Sequence, residues 1–125
     1  MARVFRSPEG AVVLVGQDAR SNDLLTLKLA RPYDFFFHVA GQPGSHVILL
    51  NPERRDAPDR DAAGFAASLA AAYSSARDGG NVAVHYAQRS EVSKRRGMAP
   101  GKVLLRRFKV VHEAPHRHDE ARVQN

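Results

Sequence analysis

Asp34-Phe35-Phe36-Phe37-His38-Val39-Ala40, then Gly41-Gln42-Pro43-Gly44, then Val47-Ile48-Leu49-Leu50, is the stretch on which the fold turns. Successive side chains of a strand point to opposite sides, so Phe35 and Phe37 share one face while Asp34, Phe36 and His38 share the other. A turn-forming tetrapeptide between two apolar runs predicts strands that arrive as an adjacent pair. Toward the N-terminus the arrangement repeats. A short strand around residues 3–6 is followed by a type I turn at Ser7-Pro8-Glu9-Gly10 and by the run Ala11-Val12-Val13-Leu14-Val15, which Gly16 ends. Toward the C-terminus, Val82, Val84 and Tyr86 alternate with Ala83, His85 and Ala87. A last strand starts at Lys102, bends at Arg106-Arg107 and resumes over residues 108–112.

Two helices separate these pairs. Ser21 or Asn22 caps a short one in which Leu24, Leu25 and Leu29 recur at helical spacing, and Pro32 stops it. A longer helix spans about residues 60–77, with Phe65, Leu69, Tyr73 and Ala76 on one face and Gly79-Gly80 as its stop. Eight alanines between Asp61 and Ala76 strip this helix of bulk and allow close packing on a sheet. Asp59 or Asp61 near its start and Arg77 near its end complement the helix dipole. The order β-β-α-β-β-α-β-β predicts an α+β fold, a mostly antiparallel sheet with the helices packed on one face. A parallel nucleotide-binding fold is disfavoured, because its strands and helices alternate singly. At 125 residues the chain suits one domain, read as residues 1–113, with a flexible polar tail over 114–125.

Charge is the informative part of the composition. The net charge is +6, yet residues 89–109 alone carry +7: Arg89, Lys94, Arg95, Arg96, Lys102, Arg106, Arg107 and Lys109 against Glu91. Such a concentrated positive field suits a phosphate backbone, the alternative being a solvated loop kept for solubility. The absence of cysteine excludes a disulfide scaffold and thiol catalysis. There is no phosphate-loop motif, so no cofactor is expected. His116 and His118 read as solvated tail residues, and among His38, His46, His85 and His112 no two have the helical i, i+4 spacing of a zinc pair, so no metal is expected either. No apolar run is long enough to span a membrane, and a cytoplasmic protein is the expectation.

Three short stretches offer chemistry. Pro43-Gly44-Ser45-His46 can form a small anion-binding nest, or a plain turn between strands. Phe36, sharing a face with His38, is the candidate for base stacking, although aromatic clusters more often build cores. The hydroxyls of Tyr73-Ser74-Ser75, with Arg77, can brace a neighbouring loop or contact RNA.

Together these segments resemble the NFACT-R family. Gly10-Ala-Val-Val-Leu-Val-Gly16 and Asn22-Asp-Leu-Leu-Thr26 look like its opening, and Asp34-Phe-Phe-Phe-His38 is similar to its Asp-Leu-Trp-Leu-His signature. Pro43-Gly-Ser-His-Val47, Ala71-Ala-Tyr-Ser-Ser-Ala-Arg77, Val84-His-Tyr86, Val92-Ser-Lys-Arg-Arg-Gly97 and Pro100-Gly-Lys-Val103 follow in the family's order. The resemblance implies an RNA-binding module, in a stand-alone version without the helix–hairpin–helix and coiled-coil parts of larger relatives. Those relatives act in ribosome quality control and bind tRNA and the large ribosomal subunit. It implies roles for Asp34, His38, Gly44, Ser45, His46, Ser74 and Lys94, with Phe36 standing where tryptophan is common. The partners expected are therefore tRNA or ribosomal RNA. Phosphate contacts are expected from residues 89–102, through Arg89, Lys94, Arg95, Arg96 and Lys102, an RNA contact from Arg77, and reading of RNA shape or an unstacked base from Ser45, His46 and Phe36. Two other readings stay open: an enzyme acting on RNA with Asp34, His38 and His46 as acid–base groups, and a protein adaptor on the ribosome.

Overall fold

The computed structural model describes residues 2–124; Met1 and Asn125, at the outer ends of the expected domain and tail, lie outside the described residues. The chain forms β1 (Ala2–Arg6), β2 (Val12–Gly16), α1 (Ala19–Asp23), β3 (Phe35–Val39), β4 (Val47–Leu49), α2 (Arg60–Ala72), β5 (Val82–Gln88), β6 (Val92–Ser93), β7 (Leu104–Leu105) and β8 (Lys109–Glu113). Six strands make one antiparallel sheet in the order β1-β2-β4-β3-β5-β8, and β6 with β7 makes a separate two-stranded ribbon. The α+β architecture is the one read from the paired strands. None of its helices is long and apolar enough to cross a membrane, among the described residues.

The register follows from side-chain alternation. Phe35 faces Leu49 and Phe37 faces Val47 across β4, while Phe37 also faces Tyr86 across β5. These residues, with Val13 and Val15, meet α2 through Phe65, Leu69 and the small surfaces of Ala63, Ala66, Ala67, Ala70 and Ala71. Alanine brings the helix close to the sheet, so the face is sealed with little side-chain entropy to lose. Asp59 caps α2 by accepting from the backbone N–H groups of Asp61 and Ala62.

The helices do not share one face, which corrects that part of the expectation. A second cluster on the opposite side joins Leu25 to Phe36, Ile48 and Val92. Leu25 belongs to residues 24–29, where α1 widens into a π-helix; the Ala30 N–H closes it onto the Leu25 carbonyl at 2.8 Å. The wider winding alters the expected spacing: Leu25 is buried, whereas Leu24 and Leu29 face solvent. The start differs too. Asp18, not Ser21 or Asn22, caps α1, accepting from the Ser21 N–H at 2.8 Å while Ser21 Oγ accepts from the Asp18 N–H at 2.9 Å. Hydrogen bonding from Ser21, its backbone N–H first, holds the Asp18 carboxyl below its usual range. Asn22 is thereby free to tuck its side chain against Gly16, where an added Cβ would stand 2.0 Å from Asn22 Oδ1.

The long helix also stops earlier than its apolar stripe suggests. It ends at Ala72 because Ser74 forms a β-bridge with Gly44. A Cβ on Gly44 would meet the Ser74 Cβ at 2.8 Å, so only glycine permits the approach. Residues 114–124, read from the sequence as a flexible tail, follow a defined path. They cross α2, where the His116 N–H donates to the Ser68 carbonyl and the His118 ring lies 4.4 Å from Phe65. They then reach the outer edge of β1, where Arg122 bridges Phe5 and the Val123 N–H donates to the Val4 carbonyl at 2.8 Å.

Candidate nucleic-acid interface

On the sheet face away from α2, and reaching round the end of that helix to Tyr73 and His116, the strands, the Gly44-Ser45 turn and the β6–β7 ribbon line a cleft of about 1380 Å³. Its floor carries Phe36 and His38 from β3 and His85 from β5, and its walls include Pro100, Lys102 and Phe108. The cleft exists because the face opposite the alanine helix carries a histidine at 38, 46 and 85 where the other carries phenylalanine and valine.

His46 is the pin of this arrangement. It is 1% exposed. Its Nε2 lies 2.9 Å from the Gly101 carbonyl oxygen and its Nδ1 lies 2.8 Å from Thr26 Oγ1. A carbonyl only accepts, so Nε2 carries the proton and Nδ1 accepts from the threonine hydroxyl. The ring thus ties the π-helix to the ribbon loop across the edge of the sheet. Burial pushes its pKa down to about 4, against the opposing pull of the Gly101 carbonyl. His38 donates from Nδ1 to the Val39 carbonyl at 2.7 Å and stands edge-on to His46, 5.8 Å between centroids. Burial lowers its pKa as well.

The basic segment divides into cations that build and cations that are presented. Arg89 donates through Nε to the Thr26 carbonyl and through Nη1 to the Val92 carbonyl at 3.1 Å, closing the exposed end of the π-helix. Lys94 Nζ donates to the carbonyls of Ala99 at 2.6 Å and Lys102 at 2.7 Å, and pairs with Asp23 at 3.2 Å. Arg106 grips Glu91 with two contacts of 3.1 and 3.0 Å, holding the Glu91 carboxyl below its usual value. Arg95, Arg96 and Lys102 are exposed and have no ion-pair partner among the described residues.

The other expected site residues separate in the same way. Asp34 is buried at the far end of β3, its two carboxylate oxygens accepting from the Asn51 and Arg31 backbone N–H groups at 2.8 Å each. It stands apart from His38 and His46, so the three are not brought together as an acid–base trio. Phe36 does share a face with His38, its ring stacked parallel at 6.3 Å, but at 1% exposure it lies beneath Leu25 as core. Gly44, Ser45 and Ser74 form a closed turn rather than an open nest: the Ser45 N–H donates to the Tyr73 carbonyl at 2.9 Å, and Ser74 Oγ to the Ala71 carbonyl at 2.7 Å. Arg77 is exposed on the cleft rim, with a 3.4 Å contact to the Ser74 carbonyl. Phe108 and His85 escaped the sequence reading. The signal was there: a phenylalanine flanked directly by Arg107 and Lys109 sits in the most cationic stretch of the chain.

A family model for the NFACT protein RNA binding domain matches residues 1–107. The chain is 36% identical over 97 residues to the Rqc2 homolog RqcH of Bacillus subtilis, covering 78% of this chain and 16% of that protein. It is also 36% identical over 74 residues to the ribosome quality control complex subunit NEMF homolog of Drosophila melanogaster, covering 59% of this chain and 7% of that one. The chain therefore spans less than a fifth of the length of these relatives. Among solved structures, the C-terminal part of the fibronectin/fibrinogen-binding protein from Streptococcus suis superposes with a TM-score of 0.90 at 29% identity, over 98% of this chain and 49% of that one.

Proposed function

The chain belongs to the NFACT protein RNA binding domain family, and on that premise we propose that it binds tRNA or ribosomal RNA in ribosome-associated quality control or a related branch of cytoplasmic RNA metabolism. One observation carries this reading. Arg95, Arg96 and Lys102 stand unpaired on a loop that Lys94 and His46 hold in shape from beneath. Holding cations out on a braced loop lowers the entropy lost when they meet phosphates. His38 on the cleft floor and Ser45 and Arg77 at its side and rim are the remaining expected contacts, while Asp34, Phe36, Gly44, His46, Ser74, Arg89 and Lys94 build the frame.

Phosphate contact of this kind releases counterions. With about five phosphates neutralised, affinity for single-stranded RNA falls roughly 100-fold between about 50 and 200 mM salt. Filter binding across that range tests it; an affinity indifferent to salt removes the phosphate mechanism.

A further inference from the structure

Phe108 is 49% exposed at the mouth of the cleft, beside Val110 at 48% and Leu104 at 39%. Leaving this much apolar surface in water is unfavourable, and a scattered loop residue would be free to turn away. Phe108 is not free: its ring lies 4.2 Å from that of His85 at a tilt of 33°. His85 and Val110 are direct partners across β5 and β8, so their side chains rise together on the same face of the sheet. One face of Phe108 is thus backed by imidazole. The flanking sequence is cationic, with Arg107 preceding the ring and Lys102 on the same cleft wall.

We infer that the His85–Phe108 pair is a stacking platform for one unstacked base of single-stranded RNA, whose adjoining phosphates meet Lys102 and Arg107. This rests on the RNA-binding reading above and adds the ligand's presented group. A flat π-face with cations at its sides suits a nucleobase in a phosphate chain, because stacking supplies affinity that is tolerant of base identity while the charges follow the backbone. A purely apolar protein partner would leave those charges without complement. Backing by His85 holds the ring in place before the ligand arrives.

The test is a fluorescence anisotropy titration of the full chain with a labelled oligouridylate and with an abasic oligomer of equal phosphate number. Phe108→Ala is expected to weaken oligouridylate binding by roughly tenfold and to leave the abasic oligomer unaffected, while Phe108→Trp retains wild-type affinity. The thermal midpoint stays at the wild-type value, since the ring lies outside both core clusters. If Phe108→Ala binds oligouridylate as tightly as the wild type, or loses both oligomers equally, the platform is overturned and phosphate binding survives. If the wild-type chain binds neither oligomer, the RNA-binding reading falls and takes the platform with it.

Discussion

One strand, β3, serves two surfaces that are built on opposite terms. Toward α2 it sends Phe35 and Phe37 into a cluster of phenylalanine, valine, leucine and alanine. Toward the ribbon it sends Phe36 into a smaller cluster and His38 into the cleft beside it, where packing gives way to histidines, bound loops and open space. The first side has no polar chemistry to offer and every contact to lose. The second is held by hydrogen bonds from His46, Arg89 and Lys94 to backbone carbonyls, which fix a loop in place without filling it. Packing supplies stability on one side; on the other, the shape of a charged rim is maintained by side chains bonded to backbone carbonyls.

The sharpest way to break this contrast is Phe37→Ala. Phe37 is fully buried between Val47 and Tyr86, under α2. Its truncation is expected to cost about 3–5 kcal/mol of unfolding free energy by urea denaturation. A loss below about 1 kcal/mol shows that the alanine-packed face is not where stability resides.

His46 sharpens the contrast from the other side, since it sits at the cleft yet is as buried as any core residue. His46→Gln at neutral pH leaves Thr26 or Gly101 short of a partner, at a cost of about 1–3 kcal/mol. The pH dependence is more diagnostic. The imidazole titrates near 6.5 when exposed and at about 4 in the fold, so only the unfolded chain takes up its proton between those values. Stability is therefore complete above about pH 6.5, falls through the window by up to about 3 kcal/mol, and loses nothing more to this group below pH 4. His38, lowered in the same direction, adds to the loss. Denaturation at pH 7 and at about pH 5 checks this; equal stability at the two, or a His46→Gln variant with the same slope, removes the buried pin.

The smallest expected change in stability separates the cations from one another. Replacing Arg95 and Arg96 by glutamate is expected to leave unfolding within about 0.5 kcal/mol of wild type. The same change lowers the log–log salt slope of RNA binding by about 1.4, or 0.7 for each lost phosphate contact. Lys94→Glu, by contrast, is expected to lower the melting temperature, because it places a carboxylate against Asp23 and two carbonyls. If all three positions behave alike, the division between framing and presented charges is wrong.

The strand pairs, the Ser7–Gly10 turn and the alanine helix were legible because each follows from spacing within a few residues. The Gly10 N–H indeed closes onto the Ser7 carbonyl at 2.9 Å. What escaped was set by partners far along the chain. The end of α2 is decided by Gly44, thirty residues before Ser74, and the face chosen by residues 24–29 is decided by Phe36 and Val92. The ribbon strands are two residues each, too short for any alternation to show. In the site, the count of charges was readable but their duties were not. Arg89 and Lys94 read as phosphate ligands until the carbonyls they satisfy come within reach. The aromatic with a solvent face was misread for a related reason: alternation placed Phe36 beside His38 correctly, but nothing local announces that Leu25 covers it.

The strap from His116 to Val123 covers part of the outer edge of β1. In vectorial synthesis β1 thus leaves the ribosome long before the segment that covers its edge. Its free N–H and C=O groups stay available to stray strands for as long as the remainder is being translated. A chain halted before residue 122 carries a fold whose β1 is still unzipped on one side, which makes the segment from His116 to Val123 a folding checkpoint.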